Sequence, residues 1–239
     1  MIYFICLIFG ILPSIIWLLF FLKEDVHPES KEMILKVFCY GIISAFLAIL
    51  FELGFKVGLE KLSLSSLVFF LIQTFIGVSL IEEFLKYFVV KKIAVQDPEF
   101  DEPLDAMLYM VIAGLGFAAL ENFFYLIPID QAFIISDILI LSLFRFLGAT
   151  FLHALCSGVV GFFLALSFYE TKKRLKYIIY GLTIAVILHG FYNFSIINLS
   201  KSFNIIFVLI PGIILVGLGI FVIFAFNKLK TLKSICKIK

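Results

Sequence analysis

Charged residues are scarce in this sequence, and their scarcity excludes most soluble folds. Only 15% of the 239 residues are Asp, Glu, Lys or Arg, whereas 63% are hydrophobic, and the mean hydropathy is +1.18. Soluble domains hold about a quarter charged residues, because most of their helices need a polar face. A soluble all-helical domain therefore fits poorly, and the composition predicts a polytopic membrane protein.

Cysteine is also scarce, and no Cys-x-x-Cys spacing joins the four cysteines. Their scatter indicates neither a disulfide framework nor a cysteine-based zinc site. The net charge is +2, and the positive residues are confined to loops and the tail, apart from Lys86. We therefore expect no nucleic-acid partner, and membrane topology is the better explanation for the positive residues.

Seven apolar runs are long enough to cross a bilayer. They cover residues 2–22, 33–55, 67–90, 104–127, 146–168, 177–199 and 205–226. The apolar stretch 133–144 is interrupted by Asp137 and is too short to span, so it predicts an interfacial or re-entrant segment. The predicted fold is an all-α transmembrane bundle of about seven helices, forming one domain over residues 1–239 with a basic tail over 227–239.

The 19 Lys and Arg residues are divided unevenly between the two sides of the predicted bundle. Fourteen fall in the loops and tail of one side, four fall on the other side, and Lys86 lies within a run. Positive residues are enriched in cytoplasmic loops. We therefore expect the N-terminus outside the cell membrane and the C-terminal tail in the cytoplasm.

Three ionisable residues stand inside the third apolar run: Glu82, Glu83 and Lys86. A charge within lipid costs about 2.5 to 3.5 kcal/mol on insertion scales, so a functional role is the default interpretation. Lys86 follows the glutamates by four and three residues and can pair with either on one helix face. One lysine cannot neutralise both, so the carboxylates are expected to titrate as a coupled unit that supplies a base or acid. An ion pair at the membrane rim is the alternative.

Further polar residues lie in the fourth, fifth and sixth runs. Glu121 has no basic residue near it in sequence, so its partner must come from another helix; the alternative is a rim carboxylate near the outer end. Asn122 suits either a role in the site or an ordinary interhelical hydrogen bond. His153 and His189 suit a hydrolytic or metal-binding centre, because imidazole ligates metals and exchanges protons near neutral pH. Asn193 follows His189 by four residues and shares its helix face. Independent packed polar groups are the alternative explanation.

The same carboxylates and histidines would also suit a transporter or an ion-conducting bundle that relays protons. Such proteins often carry an inverted internal repeat. No repeat of this kind is visible in the sequence, which favours hydrolysis over transport.

In their order along the chain, the polar motifs resemble those of the PrsW family of bacterial intramembrane proteases. This family is distantly related to the CAAX-processing and bacteriocin-processing membrane endopeptidases. The matching motifs are Glu82-Glu83-x-x-Lys86, Asp101-Glu102-Pro103-x-Asp105, Phe117-x-x-x-Glu121-Asn122, His153 with Gly161, and His189-x-x-x-Asn193. Each motif alone is weak, but the ordered set is specific.

The resemblance implies an endopeptidase of the bacterial plasma membrane that cuts a membrane-anchored protein, typically making the first cut in an anti-sigma factor. It implies the following catalytic residues: Glu82, Glu83, Glu121, His153, His189 and Asn193, with Lys86 and Asn122 in support. Glu121, His153 and His189 would suit Zn²⁺. The related CAAX enzymes are argued to work by glutamate and histidine alone, and the sequence leaves both alternatives open.

The expected depth of Glu121 conflicts with this assignment. If the third helix runs inward and the fourth outward, Glu82 lies in the cytoplasmic half of the membrane and Glu121 in the outer half. At about 1.5 Å of rise per residue, the offset reaches roughly 15 Å. Glu121 is therefore expected to lie a turn or more away from the other site residues, unless the helices shift or tilt.

Overall fold

The structure, a computed structural model, describes residues 2–25, 27–127 and 135–232. Within these ranges, seven helices are long and apolar enough to cross a membrane. They are α1 (Ile2–Glu24), α2 (Lys31–Glu60), α3 (Ser66–Ile93), α4 (Pro103–Leu126), α5 (Ile135–Tyr169), α6 (Thr171–Lys201) and α7 (Ile205–Lys230). The predicted all-α membrane bundle with seven spanning helices is confirmed.

Helix α4 lies at the centre of the bundle. Every residue from Pro103 to Ala119 is buried, and α1, α2, α3, α5 and α7 all pack against α4. In the other helices, apart from α5, a third or less of the most apolar stretch is buried. Lipid tails provide no hydrophobic force between helices, so close packing through small residues has to hold the bundle together.

The closest approach of α4 and α5 occurs at glycines. A Cβ atom added to Gly114 would lie 2.3 Å from the Ser157 hydroxyl oxygen and 3.0 Å from the His153 carbonyl oxygen. A Cβ atom added to Gly161 would lie 2.5 Å from the Cα atom of Met107. Two helix backbones thus touch where larger residues would separate them, and this contact holds His153 against α4.

Two helices widen into π-helical turns just before they present polar residues. In α3 the π-helical stretch covers Gln73–Leu80, directly ahead of Glu82 and Glu83. In α5 it covers Phe146–Thr150, directly ahead of His153. A π turn takes up more residues than an α turn and is frequent at functional sites. The side chains that follow it therefore point in directions that regular α-helical periodicity does not predict.

The start of α4 is stabilised by its own acidic residues. The Asp105 carboxylate accepts hydrogen bonds from the backbone N–H groups of Asp101 and Glu102, at 2.8 and 2.7 Å. Acidic residues and a proline at the first helical position are typical of helix starts. Tyr109 donates a hydrogen bond to Glu29, which ties the connection between α1 and α2 to this end of α4.

The stretch predicted as an interfacial segment, 133–144, joins the following helix without a break. From Ile135 onwards it is helical and forms the beginning of α5, since the π turn at Phe146–Thr150 continues the helix. Residues 133 and 134 lie outside the described ranges. The predicted basic tail starts within the last turn of α7, and residues 233–239 are likewise not described.

The contact between α4 and α5 predicts a large effect of a small substitution. Gly161→Ala should lower the free energy of unfolding by about 1 to 3 kcal/mol, because its methyl group would overlap the α4 backbone. Gly219→Ala on α7 is the control, since an added Cβ there has no neighbour within 4 Å. Thermal unfolding in detergent micelles measures both, and equal midpoints for the two variants would contradict the packing described.

Candidate active site

Helices α2 to α6 enclose a cavity of about 690 Å³. Along α3 its wall runs from Phe70 to Glu82, which corresponds to a length of roughly 18 Å at 1.5 Å of rise per residue. At one end, Tyr125 and Phe144 line the cavity and are 58% and 72% exposed. At the other end, Glu82 and His153 are buried. The cavity therefore has an open mouth at the first end and a closed floor at the second.

The buried ion pair of Lys86 with Glu83 lies next to the floor of the cavity. The Lys86 ammonium nitrogen is 2.8 Å from Glu83 Oε1, 3.5 Å from Glu82 Oε2 and 2.7 Å from His153 Nδ1. An ammonium group has three N–H donors and no acceptor. Each donor of Lys86 thus has an acceptor within the predicted site. The alternative of an ion pair at the membrane rim does not fit, because Glu82, Glu83 and Lys86 are buried.

The contacts of Lys86 determine the tautomer of His153. Because an ammonium can only donate, Nδ1 of His153 must be the acceptor and must carry no proton. The ring proton then resides on Nε2, which donates to Glu121 Oε2 at 2.7 Å. Glu121 therefore orients the His153 ring, and the unprotonated Nδ1 faces the glutamate pair.

His189 has the opposite tautomer by the same reasoning. Its Nδ1 lies 2.8 Å from Glu83 Oε1, and an ionised carboxylate only accepts, so Nδ1 carries the proton. The remaining ring nitrogen, Nε2, lies 3.9 Å from Glu82 Oε2. Glu82 is thus approached by an unprotonated nitrogen of each histidine, since His153 Nδ1 lies 3.8 Å away from the same oxygen.

The expected displacement of Glu121 from the site was wrong. Glu121 contacts the His153 ring, whose opposite nitrogen contacts Lys86. The His153 ring lies between Lys86 and Glu121, and the close approach of α4 and α5 brings the His153 backbone near α4. Glu121 therefore joins the site through His153. Its partners come from another helix, as its sequence environment predicts, and Arg145 is one of them at 2.9 Å.

The two asparagines of the predicted site have different environments. Asn122 donates to the Thr150 hydroxyl at 2.9 Å and to the Gly10 carbonyl at 3.2 Å, and it accepts from Arg145 at 2.6 Å. It therefore joins α4 to α1 and α5. Asn193 is only partly buried and lines the cavity one helical turn after His189. Its amide is available to a molecule in the cavity.

Two residues of the cavity, Arg145 and Glu52, were not among the predicted site residues. Arg145 binds both Glu121 and Asn122, and Glu52 lines the cavity from α2. The cue for both residues was a charge within or beside an apolar run. Sequence alone could not place that charge on the face of the helix that meets the cavity.

Three donors at or next to the floor of the cavity are suited to zinc: Glu82, His153 and His189 supply ligand atoms that lie within 4.8 Å of one another. Each histidine gives its other ring N–H to a carboxylate, which is the usual support of a metal-binding imidazole. Two histidines and a glutamate with a further open position are a common catalytic zinc set. The set differs from the predicted one in its carboxylate, because Glu121 is engaged on the far side of His153.

Comparison with known proteins gives consistent matches over most of the chain. A family model described as "PrsW family intramembrane metalloprotease" matches residues 29–225. "Protease PrsW" of Bacillus subtilis is 32% identical over 206 residues, covering 84% of this chain and 86% of that protein. "Protease PrsW" of Geobacillus kaustophilus is 30% identical over 189 residues, covering 79% and 78%. "Protease PrsW" of Clostridioides difficile is 24% identical over 213 residues, covering 86% and 84%. No solved structure matches the chain.

The hydrogen bonds of the two buried histidines predict opposite neutral tautomers. We expect His153 to carry its proton on Nε2 and His189 on Nδ1, because each faces a carboxylate through that atom. ¹⁵N chemical shifts of histidine-labelled, metal-free protein distinguish the two forms. The chain has only three histidines, so His153→Gln and His189→Gln assign the resonances. Identical tautomers at both positions would contradict the arrangement.

Proposed function

The chain belongs to the PrsW family of intramembrane metalloproteases and is thus a multi-pass membrane protease; we propose that Glu82 is the group that activates water for peptide-bond hydrolysis. The supporting observation is the unequal engagement of the glutamate pair. Glu83 Oε1 accepts from both Lys86 and His189 at 2.8 Å, whereas the only hydrogen bond described for Glu82 is that of Lys86 at 3.5 Å. Glu82 also lines the cavity. Its lone pairs are therefore the more available ones.

In this proposal the substrate enters the cavity as an extended segment, and its scissile carbonyl reaches the floor. Glu82 takes a proton from water while the water oxygen attacks the carbonyl carbon. The C–N bond then breaks as Glu82 returns the proton to the leaving nitrogen. Asn193 supplies a side-chain N–H to the oxygen on which negative charge develops, because the ring protons of His153 and His189 are already given to carboxylates. Glu83 and Lys86 keep their neighbours in position.

Zinc, if bound, would be held by Glu82, His153 and His189. Zinc in such a site polarises a carbonyl group and lowers the pKa of bound water to about 7. Glu82 would then be a ligand rather than the base. The Lys86 ammonium, which now occupies the lone pair of His153 Nδ1, would have to move.

The proposed substrate is a membrane-anchored regulatory protein such as an anti-sigma factor, as the motifs and the family suggest. We also retain the proposed orientation, with the N-terminus outside and the C-terminal tail in the cytoplasm, on the distribution of Lys and Arg. The mouth of the cavity then faces the outer side, because it lies near the α2–α3 and α6–α7 connections. The substrate would accordingly enter the cavity from the outer side.

A transporter is not favoured by the cavity. Transport requires a path that joins both faces of the membrane. Beyond the floor, α4 is buried continuously from Pro103 to Ala119 and packs against its neighbours. Access from one side only is what a protease needs.

The roles of the glutamates are tested with a single-span reporter expressed in the same membrane. Glu82→Ala and Glu83→Ala should each reduce cleavage about 10²- to 10⁴-fold, the first by loss of the base and the second by releasing Lys86 and His189. Glu60→Ala, at the exposed end of α2, is the control. Unchanged cleavage in both variants would refute the proposed roles. Glu83→Gln, which keeps an acceptor oxygen, should retain more activity than Glu82→Gln if Glu82 is the base.

Zinc binding is tested by calorimetry on purified, metal-stripped protein. If Glu82, His153 and His189 hold zinc, the titration should show one equivalent per chain. Glu121→Gln should weaken binding about 10- to 100-fold, because Glu121 orients His153 without being a ligand. Full cleavage by the metal-stripped protein would remove zinc from the reaction and leave Glu82 as the base.

A further inference from the structure

Glu52 is a carboxylate of the cavity that the proposed reaction does not use. It projects from α2 into the same cavity as Glu82 and is partly buried. Within the described ranges, no group donates a hydrogen bond to Glu52 and no cation lies within ion-pair distance of it. Even Lys56, one helical turn later, is not paired with it.

The cations near the cavity are already engaged. Arg145 is bound to Glu121 at 2.9 Å, and Lys86 is bound to Glu83 at 2.8 Å. Much of the remaining wall is aromatic or aliphatic. A carboxylate in such surroundings is costly unless it has a partner, and intramembrane carboxylates typically mark the path of a ligand. A positive group on a molecule that occupies the cavity would supply the partner that Glu52 lacks.

The helix positions give the depth of Glu52. Helices α2 and α3 meet where a Cβ atom added to Gly77 would lie 2.6 Å from the Phe55 ring. Counted from this contact away from the mouth, Glu52 lies three residues deeper along α2 and Glu82 lies five residues deeper along α3. Glu52 is therefore roughly 3 Å closer to the mouth than Glu82, at 1.5 Å of rise per residue. An extended chain advances about 3.3 Å per residue, so that separation corresponds to about one substrate residue.

We propose that Glu52 forms a substrate subsite that binds a lysine or arginine side chain about one residue from the scissile bond, on the side of the mouth. This inference rests on the proposed protease function. The apolar wall would hold the aliphatic stem of the substrate side chain, while Glu52 binds its charged end. Glu52 would then determine which membrane proteins are cut efficiently.

The experiment uses the full-length protein in membranes and a set of single-span reporters. The cut is first located by mass spectrometry, and Lys, Gln or Glu is then placed at each of the six residues on its mouth side. For the parent, Lys at one or two neighbouring positions should raise kcat/KM roughly tenfold or more over Glu. Glu52→Gln should abolish this preference, and Glu52→Lys should reverse it in favour of Glu.

Glu60→Lys makes the same charge change on the same helix but outside the cavity, and it should keep the parental preference. An unchanged preference for Lys in Glu52→Lys would overturn the subsite, even though cleavage itself supports the protease. The subsite would be overturned in the same way if the parent cleaves the reporters but shows no preference at any position. A parent that cleaves none of the reporters would overturn both proposals together.

Discussion

The site depends on one buried ammonium group, that of Lys86. Its cost within the membrane is offset only because Glu82, Glu83 and His153 all accept its hydrogen bonds. Removing any one acceptor would leave a buried donor without a partner, which is far more costly than losing an exposed contact. Lys86 consequently requires α3 and α5 to keep their relative position. The requirement extends to α6, because the carboxylate of Glu83 is shared with His189.

Two histidine–carboxylate pairs determine where the ring protons lie around this buried ammonium group. His153 gives its proton to Glu121, and His189 gives its proton to Glu83. Both pairs leave one ring nitrogen unprotonated: that of His189 lies 3.9 Å from Glu82, and that of His153 accepts from the Lys86 ammonium. A cation held by Glu82 and both imidazoles would take the place of that ammonium. A base and a zinc ligand are two uses of one local geometry, and the same packing of α4 against α5 supports both.

The sequence predicts those residues of the candidate site whose burial in an apolar run costs free energy. Glu82, Glu83 and Lys86 stand out in an apolar run, and His153 and His189 were assigned for a similar reason, with the order of motifs adding to the case. The depth of Glu121 could not be predicted, because it depends on the imidazole between two helices and on the glycine contacts that bring those helices together. The π-helical turns of α3 and α5 could not be predicted either, because sequence patterns were interpreted with regular α-helical periodicity.

The charges of the cavity are arranged by depth, and this order limits what can bind there. The floor has Glu82 with two oriented imidazoles, and Glu52 lies nearer the mouth with no cation of the described chain beside it. An extended polypeptide can contact both carboxylates at once, with a basic side chain at Glu52 and a carbonyl at the floor. One polypeptide segment supplies both groups, so the two carboxylates of the cavity agree with the proposed protein substrate.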